Sequence, residues 1–446
     1  MTLFLKTLIC ATYFQYIENF VIPLQKFHGL ITSIDDFLIA GFICLMLLQK
    51  LITRKTTYLN GSKIYIILFF FFFIFTFSAI ANKVPFINVF FSFKDILLEF
   101  SFLYALTICI IKRDKIKSLI NFTLKIFVLQ FIIQLFQLLI AVKMGVLNSD
   151  SLKGTFPRSN NLGYVYFFFI FYCLHIGVIY KQKKYIVYAL IFIVGLLMST
   201  AYFAVLMLPI VFIAYHRNYF LSKKYVVKFV LLSMFFICFF SITATSISRR
   251  ENRLERLRYG DFYLFNPRYW VNFVSHSEFD VSQGSARMLW FSVTYNQLES
   301  KAFHPLIGMG PGMYTSFAAY RLMPSTNKAI YDIFHQRELG LDVFVDSQII
   351  PLWGEFGYIG LFLIIFLFFY FIFRYLKIYY KTSDLQLKAL SITSSAGAFF
   401  ILIGMYINHF LETQVIMFTY VILLSFTEKL LTEELTLKSH ENSPNK

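Results

Sequence analysis

The sequence predicts an all-α, polytopic membrane protein with about 12 transmembrane helices and one large, mostly helical extracytoplasmic loop domain. Three observations support this fold class. First, 58% of the 446 residues are hydrophobic and only 15% are charged, which is outside the composition of soluble domains. Second, apolar segments long enough to cross a bilayer, about 20 residues each, recur along the chain. Third, the basic residues cluster in alternate short loops between these segments.

Twelve segments have the length and apolar character of membrane spans. Region 185–215 is ambiguous, because its 31 largely apolar residues fit either one long helix or two short helices that meet near Ser199 and Thr200. The distribution of basic residues favours two helices there. The predicted segments lie near residues 4–22, 33–51, 64–81, 95–111, 119–142, 162–180, 185–199, 200–215, 225–246, 349–373, 389–408 and 412–428.

The charge asymmetry of the short loops predicts the topology. With 12 crossings, the short loops on one side carry 18 Lys and Arg residues, whereas those on the other side carry six. By the positive-inside rule both termini are cytoplasmic and the 247–348 loop faces outward. ATP and sugar nucleotides, which are confined to the cytoplasm, are therefore excluded as its substrates. The same clusters account for the net charge of +17, so we expect no nucleic-acid partner.

The predicted organisation has four parts. Residues 1–246 form a transmembrane bundle of about nine helices, and residues 247–348 form the extracytoplasmic loop domain. Residues 349–430 add about three helices to the bundle, and residues 431–446 form a polar cytoplasmic tail. All five cysteines lie in apolar segments, so the sequence predicts neither a disulfide framework nor a metal cluster.

Arginine is concentrated in the large loop. Nine of the 14 arginines lie between residues 247 and 348, whereas that stretch contains only two lysines, Lys301 and Lys328. A guanidinium is a planar fork that binds phosphate or carboxylate with two hydrogen bonds, whereas an ammonium is a hydrated point charge. We therefore hypothesise that the loop holds an anionic ligand, most simply the phosphates of a lipid carrier. The alternative is that the arginines only keep a polar loop solvated.

The large loop has the pattern of a small folded cap. Residues 285–303 place apolar side chains at helical spacing, and His304-Pro305 is expected to stop that helix. The glycines of 308–312 mark a turn and not a dinucleotide fingerprint, because no strand precedes them. Residues 324–345 have no regular pattern.

Three segments carry motifs in a recognisable order. GTFPRSNNLG stands at 154–163, HPLIGMGPG follows at 304–312 after Arg287, and DSQIIPLWGEFGYIGL stands at 346–361. This order resembles the O-antigen ligase and polymerase superfamily, over roughly residues 150–430.

The resemblance implies a Wzy-like polysaccharide polymerase of the bacterial inner membrane. Such an enzyme transfers glycan from an undecaprenyl-diphosphate-linked donor to the non-reducing end of a lipid-linked repeat unit, on the outer side of the membrane. It implies no cofactor and no metal, and it implies membrane lipids and a chain-length regulator protein as further partners. The chemistry agrees, since a diphosphate leaving group develops negative charge that fixed arginines stabilise.

The resemblance also implies site residues. Arg287 matches the family's loop arginine and is the candidate diphosphate clamp, with a surface cation on a cap helix as its alternative. Arg158 and Asn160, in the first motif, and Arg321 and Arg337, in the large loop, are further candidate substrate-binding residues.

Two residues are candidates for the general base that takes the proton of the acceptor hydroxyl. Asp346 stands where the ligase members have a histidine, which favours a polymerase over a ligase. Its alternative role is that of an ordinary N-cap for the apolar helix that follows. His335 is the other candidate base, with a solvated loop histidine as its alternative.

One departure from the family pattern concerns the eighth segment. Family members often have Ser-Arg where this chain has Ser199-Thr200, so one interfacial arginine is missing and Arg158 is a substitute. Asn408 and His409, with Glu412, lie in the turn between the last two segments and either face the same cavity or cap helices.

Two other functions are compatible with the same sequence. An O-antigen ligase uses the same donor but transfers the glycan to lipid A core. A flippase for the lipid-linked oligosaccharide performs no chemistry, and it typically lacks a folded outer loop of this size.

Overall fold

The computed structural model describes residues 1–17, 33–53, 62–109, 111–144, 152–199, 201–220, 291, 294–299, 302–326 and 347–441. Within these ranges all regular structure is helical and no strand occurs, which confirms the all-α fold class. The segment predicted at 225–246 and most of the large loop lie outside the described residues.

The helices are numbered here in chain order. They are α1 (Thr2–Tyr13), α2 (Ile34–Thr53), α3 (Ser62–Ala81), α4 (Phe86–Ser92), α5 (Leu98–Ile108), α6 (Arg113–Met144), α7 (Ser159–Leu174), α8 (Lys183–Met198), α9 (Tyr202–Phe220), α10 (His304–Ile307), α11 (Phe317–Thr326), α12 (Ile349–Lys381), α13 (Leu385–Gly404) and α14 (Gln414–Glu441). Wider π-helical turns join α4 to α5, at Phe93–Leu97, and follow α7, at His175–Ile179.

Six of the described helices are long and apolar enough to cross a membrane, and two shorter apolar helices, Thr2–Tyr13 and Phe203–His216, accompany them. The full count of 12 crossings is thus not reached within the described residues. The six spans are Ile64–Ala81, Arg113–Lys143, Ser159–Ile179, Ile349–Lys381, Leu385–Gly404 and Gln414–Thr436.

Two predicted boundaries can be compared with the structure. Region 185–215 contains two helices, α8 and α9, as the basic residues indicated. The last helix, α14, continues to Glu441 and so includes most of the residues assigned to a polar tail.

The centre of the bundle is built from α7, α13 and α14, which are mostly buried. Aromatic rings fill it, and those of Phe167 and Phe400 stack with centroids 4.0 Å apart. By contrast, α3 turns phenylalanines such as Phe69 and Phe73 outward, with 64% and 54% of their surface exposed. Such a helix suits lipid as its surroundings, because a hydrocarbon solvent does not penalise exposed apolar side chains.

The bundle has two chemically different ends. One end, which we call the motif end, contains residues 152–163, 302–326 and 405–414, which connect helices that end or begin there. The opposite end, which we call the basic end, contains the first residues of α6, α8 and α13, next to clusters of lysine and arginine. The motifs identified in the sequence thus share one end of the molecule.

Candidate functional site

The first motif loop, residues 152–158, is held by three glutamines of α6. Gln130 accepts a hydrogen bond from the Thr155 backbone N–H at 3.0 Å and donates to the Thr155 hydroxyl at 2.6 Å. Gln137 exchanges two bonds with the backbone of Gly154, at 2.8 and 2.9 Å. Gln134 donates to another backbone carbonyl of the loop at 2.9 Å. Spacing of four and then three residues puts the three amides on one face of α6, where they match the donors and acceptors of the loop.

This loop delivers two candidate residues to the start of α7. Arg158 is the N-cap residue of α7, in an extended conformation, and it is exposed. Asn160 lies in the first turn, and its Oδ1 atom is buried without a hydrogen-bond partner among the described residues. A helix N-terminus attracts anions through its unpaired N–H groups and its dipole. The start of α7 therefore combines a guanidinium, a helix N-terminus and an amide, which suits a phosphate with a polar neighbour.

The second motif loop, residues 304–317, is held by one buried carboxylate. Glu355 accepts from the backbone N–H of Gly312 at 2.7 Å and from those of Tyr314 and Ser316 at 3.3 Å each. The Tyr314 hydroxyl pairs with Thr294 at 2.9 Å, and burial raises the pKa of Tyr314 above its usual value. Tyr314 is thus neutral at physiological pH and is not a candidate base.

Glycines allow this loop to cross the start of α12 at backbone contact. Gly308 has a φ of +74°, and a Cβ atom there would lie 2.2 Å from the Glu355 carbonyl carbon. Gly357 has a φ of +63°, and its Cβ would lie 2.4 Å from the backbone of Leu306. Each glycine removes the side chain that would block the other segment. The "GMGPG" and "EFG" motifs therefore encode a backbone crossing.

The turn between α13 and α14 joins this loop to α12. Glu412 accepts from the Phe317 N–H at 2.5 Å and from the Gln348 amide at 2.7 Å. Gln348 in turn accepts from the N–H groups of Leu411 and Glu412, at 3.2 and 3.3 Å. The 408–412 turn, which the sequence allowed either to cap helices or to face the site, is thus buried and bonded to the second motif loop.

The same turn contacts α7, directly after the first motif, as well as the second motif loop. On one side the Phe410 ring contacts Tyr164 of α7, with centroids 4.7 Å apart. On the other side the His409 ring stacks on Phe317 at 4.8 Å, and its Nδ1 lies 3.5 Å from Glu412. Two motifs separated by about 150 residues of sequence are therefore parts of one continuous structure.

Arg321 is engaged in an ion pair. Its guanidinium lies 3.1 and 3.2 Å from the two carboxylate oxygens of Asp95 and stands over the Phe91 ring at 5.8 Å. The side chain is 44% exposed and Asp95 only 7%. A ligand that binds Arg321 would have to share it with Asp95.

A buried group of carboxyl side chains lies beneath the motif end. Asp35 is hydrogen-bonded to Gln15, and Asp36 forms an ion pair with Lys94 at 2.6 Å. Glu99 is 2% exposed, and neither of its oxygens has a hydrogen-bond partner among the described residues. No grouping of His, Cys, Asp or Glu in the described part of the chain is close enough to hold a metal ion.

Four predicted site residues, Asp346, His335, Arg287 and Arg337, lie outside the described residues. Both roles considered for Asp346, general base and N-cap, therefore stay predictions; the helix that follows, α12, begins at Ile349 with Gln348 as its N-cap residue.

Sequence reasoning missed the residues that hold the two loops. Glu355 was part of a quoted motif but received no role, and Gln130, Gln134 and Gln137 were not considered. A signal was present, since isolated polar side chains at helical spacing within an apolar span need buried partners.

Comparison with models of protein families gives no match, and comparison with curated proteins gives none either. The resemblance to the O-antigen ligase and polymerase superfamily consequently remains an expectation from the motifs.

Proposed function

We propose that the protein is a surface-polysaccharide polymerase that acts on polyprenyl-diphosphate-linked glycans at the motif end of the bundle, on the outer face of the inner membrane. One observation carries the proposal. The 408–412 turn packs both on Tyr164, which directly follows the first motif in α7, and on Phe317 of the second motif loop, so the two motifs, far apart in sequence, lie at one end of the molecule. This arrangement brings Arg158 and Arg321 to the same end, where an anionic donor would need cations.

The proposed reaction needs a cationic site for the leaving group. The bond between the anomeric carbon and the diphosphate breaks, a bond to the acceptor hydroxyl forms, and the polyprenyl diphosphate leaves with the electron pair. Arg158 and the N-terminus of α7 provide positive charge that is already oriented, so the developing anion is stabilised without rearrangement. Arg287 and Arg337 would add to this charge, and Asn160 would bind a hydroxyl group.

The acceptor hydroxyl must lose its proton to a base, for which Asp346 and His335 remain the candidates. The variant Asp346→Asn keeps the shape of the side chain and its ability to cap a helix but removes its basicity. We expect Asp346→Asn to abolish polymer and His335→Gln to retain part of it. Full polymer from Asp346→Asn would exclude Asp346, and loss only in His335→Gln would assign the role to His335.

A deletion strain tests the proposed function. For a polymerase, the surface polysaccharide loses its ladder on a gel, and single lipid-linked repeats accumulate on the outer leaflet. Completed polymer left on the lipid carrier would indicate a ligase instead, and repeats retained on the inner leaflet would indicate a flippase.

One observation favours the flippase as a second candidate. Ionisable side chains buried in a membrane bundle often mark ion pathways, and Asp35 and Glu99 are 0% and 2% exposed. A flippase driven by a cation gradient would use such groups. In that case Glu99→Gln would stop transport of the lipid-linked repeat, whereas the polymerase proposal expects polymer to persist in this variant.

A further inference from the structure

A cavity at the basic end lies outside the site described above. Its volume is about 360 Å³, within the range of roughly 300–1,000 Å³ that is common for small-molecule sites. Arg113 and Lys117 of α6, Asp384 and Gln386 near the start of α13, and Tyr180 after α7 contribute to its lining. Both α6 and α13 are long and apolar enough to cross a membrane and begin here, so we expect the cavity to lie at the level of lipid headgroups.

Three helix N-termini converge on this cavity. The lining includes the first residue of α6, the residue before α8 and the first residue of α13. These helices have 32, 16 and 20 residues, so each directs the positive end of its dipole towards the cavity. The three helix dipoles therefore add to the attraction that the cationic side chains exert on an anion in the cavity.

The side chains of the lining leave donors available. Arg113 forms an ion pair with Asp384, and Asp384 also caps α13 by accepting from the Leu387 N–H at 2.7 Å. The charge of Asp384 is thus already compensated. The Nε2 atom of Gln386 is buried and has no hydrogen-bond partner among the described residues. A buried donor without a partner is unfavourable unless a ligand or water accepts from it.

Lys117 is the second exposed cation of the lining, beside Arg113. It stands one helical turn after Arg113 on the same face of α6. The exposed Asp114 also lines the cavity and reduces its positive charge. The ligand should therefore accept several hydrogen bonds but carry only a small negative charge. A phosphate ester meets this requirement, because it has several acceptor oxygens and a single or double negative charge.

We propose that this cavity is a phosphate-ester site, occupied by the headgroup phosphate of a membrane phospholipid or by a soluble phosphate ester from the same side of the membrane. Arg113, Lys117 and Gln386 donate to the phosphate oxygens, and the N-termini of α6, α8 and α13 orient it. The proposal is independent of the polymerase proposal, which concerns the opposite end.

The test uses the purified full-length protein in detergent after removal of bound lipid. Short-chain phosphatidylglycerol, short-chain diacylglycerol without phosphate, and inorganic phosphate are titrated separately, and the thermal unfolding midpoint is recorded. A ligand that binds only the folded state raises this midpoint. The variants are Lys117→Gln and Gln386→Leu, and Lys184→Gln is the matched control, because it removes an exposed lysine at the same end outside the cavity.

We expect phosphatidylglycerol, but not diacylglycerol, to raise the midpoint of the wild type and of Lys184→Gln. Lys117→Gln and Gln386→Leu should each weaken the apparent affinity about tenfold, as expected for loss of one hydrogen bond to a charged group. An equal shift with inorganic phosphate would identify a soluble phosphate ester as the ligand. The proposal is overturned if neither phosphate compound shifts the wild type, if diacylglycerol acts equally, or if both cavity variants respond like Lys184→Gln.

Discussion

The two motif loops are fixed to the bundle by opposite kinds of chemistry. The first, 152–158, is bonded to the neutral amides of Gln130 and Gln137, which both donate and accept. The second, 304–317, turns its backbone N–H groups inward to Glu355 and Glu412, which only accept. Neutral amides therefore hold the first loop, whereas acidic side chains occupy the N–H groups of the second.

A glycine-rich turn with positive φ angles forms a concave row of N–H groups that binds anions. In this protein Gly308, Gly310 and Gly312 have positive φ, but their N–H groups already donate within the protein: Gly308 and Gly310 to the backbone carbonyls of His304 and Glu355, and Gly312 to the Glu355 side chain. The glycine motif is therefore occupied internally. In the proposed function a donor diphosphate would bind instead near the exposed Arg158 at the start of α7.

The largest effect is expected where the backbones cross. In Gly308→Ala the new methyl group would overlap the Glu355 backbone, and the positive φ would add strain. We expect the second motif loop to detach and protein accumulation in membranes to fall severely. Gly41→Ala is the control, because a Cβ atom there meets nothing within 4 Å. Normal accumulation of Gly308→Ala would contradict the crossing.

Glu355→Gln should have the next largest effect. The amide retains one acceptor oxygen but points an NH₂ group at backbone N–H donors, so we expect a loss of about 4 kcal/mol in the free energy of unfolding. The thermal unfolding midpoint and protease cleavage of the second motif loop would report it. Glu299→Gln, at an exposed position, should change the stability by less than about 0.5 kcal/mol. If the two variants behave alike, the carboxylate does not hold the loop.

Gln130→Leu tests how strongly a neutral amide holds the first motif loop. It removes both bonds to Thr155 but leaves no unpaired charge, so a smaller loss of about 2 kcal/mol is expected. Thermal unfolding of the purified variant measures it. A loss as large as that of Glu355→Gln would remove the distinction between the two kinds of anchor.

Asp95→Asn should have the smallest effect on stability. Arg321 is 44% exposed, so solvent screens its ion pair and the loss should stay below about 1 kcal/mol. If Arg321 binds substrate, freeing it from Asp95 should preserve or increase polymer formation, measured as ladder intensity. Loss of polymer at unchanged stability would show that the ion pair itself positions Arg321.

The sequence was sufficient for the fold class and for the grouping of the motifs at one end, because apolar length and charge asymmetry are local signals. It was also sufficient for two helices in region 185–215. It could not predict that Glu355 binds the backbone of residues 312–316, since that contact joins segments about 40 residues apart and depends on the kink of α12 at Gly357. The pairing of Arg321 with Asp95, across more than 200 residues, was unpredictable for the same reason.

The central claim is that the motif end transfers glycan from a lipid diphosphate, with Arg158 near the leaving group. Its most direct test is polymer formation by the purified protein, reconstituted in vesicles with lipid-linked single repeats. The wild type and Lys153→Ala, a control in the same loop, should form polymer. Arg158→Ala should be slower by about a hundredfold, because it loses a charge-assisted bond to the leaving group. Absence of polymer with the wild type, or an undiminished rate with Arg158→Ala, would contradict the account.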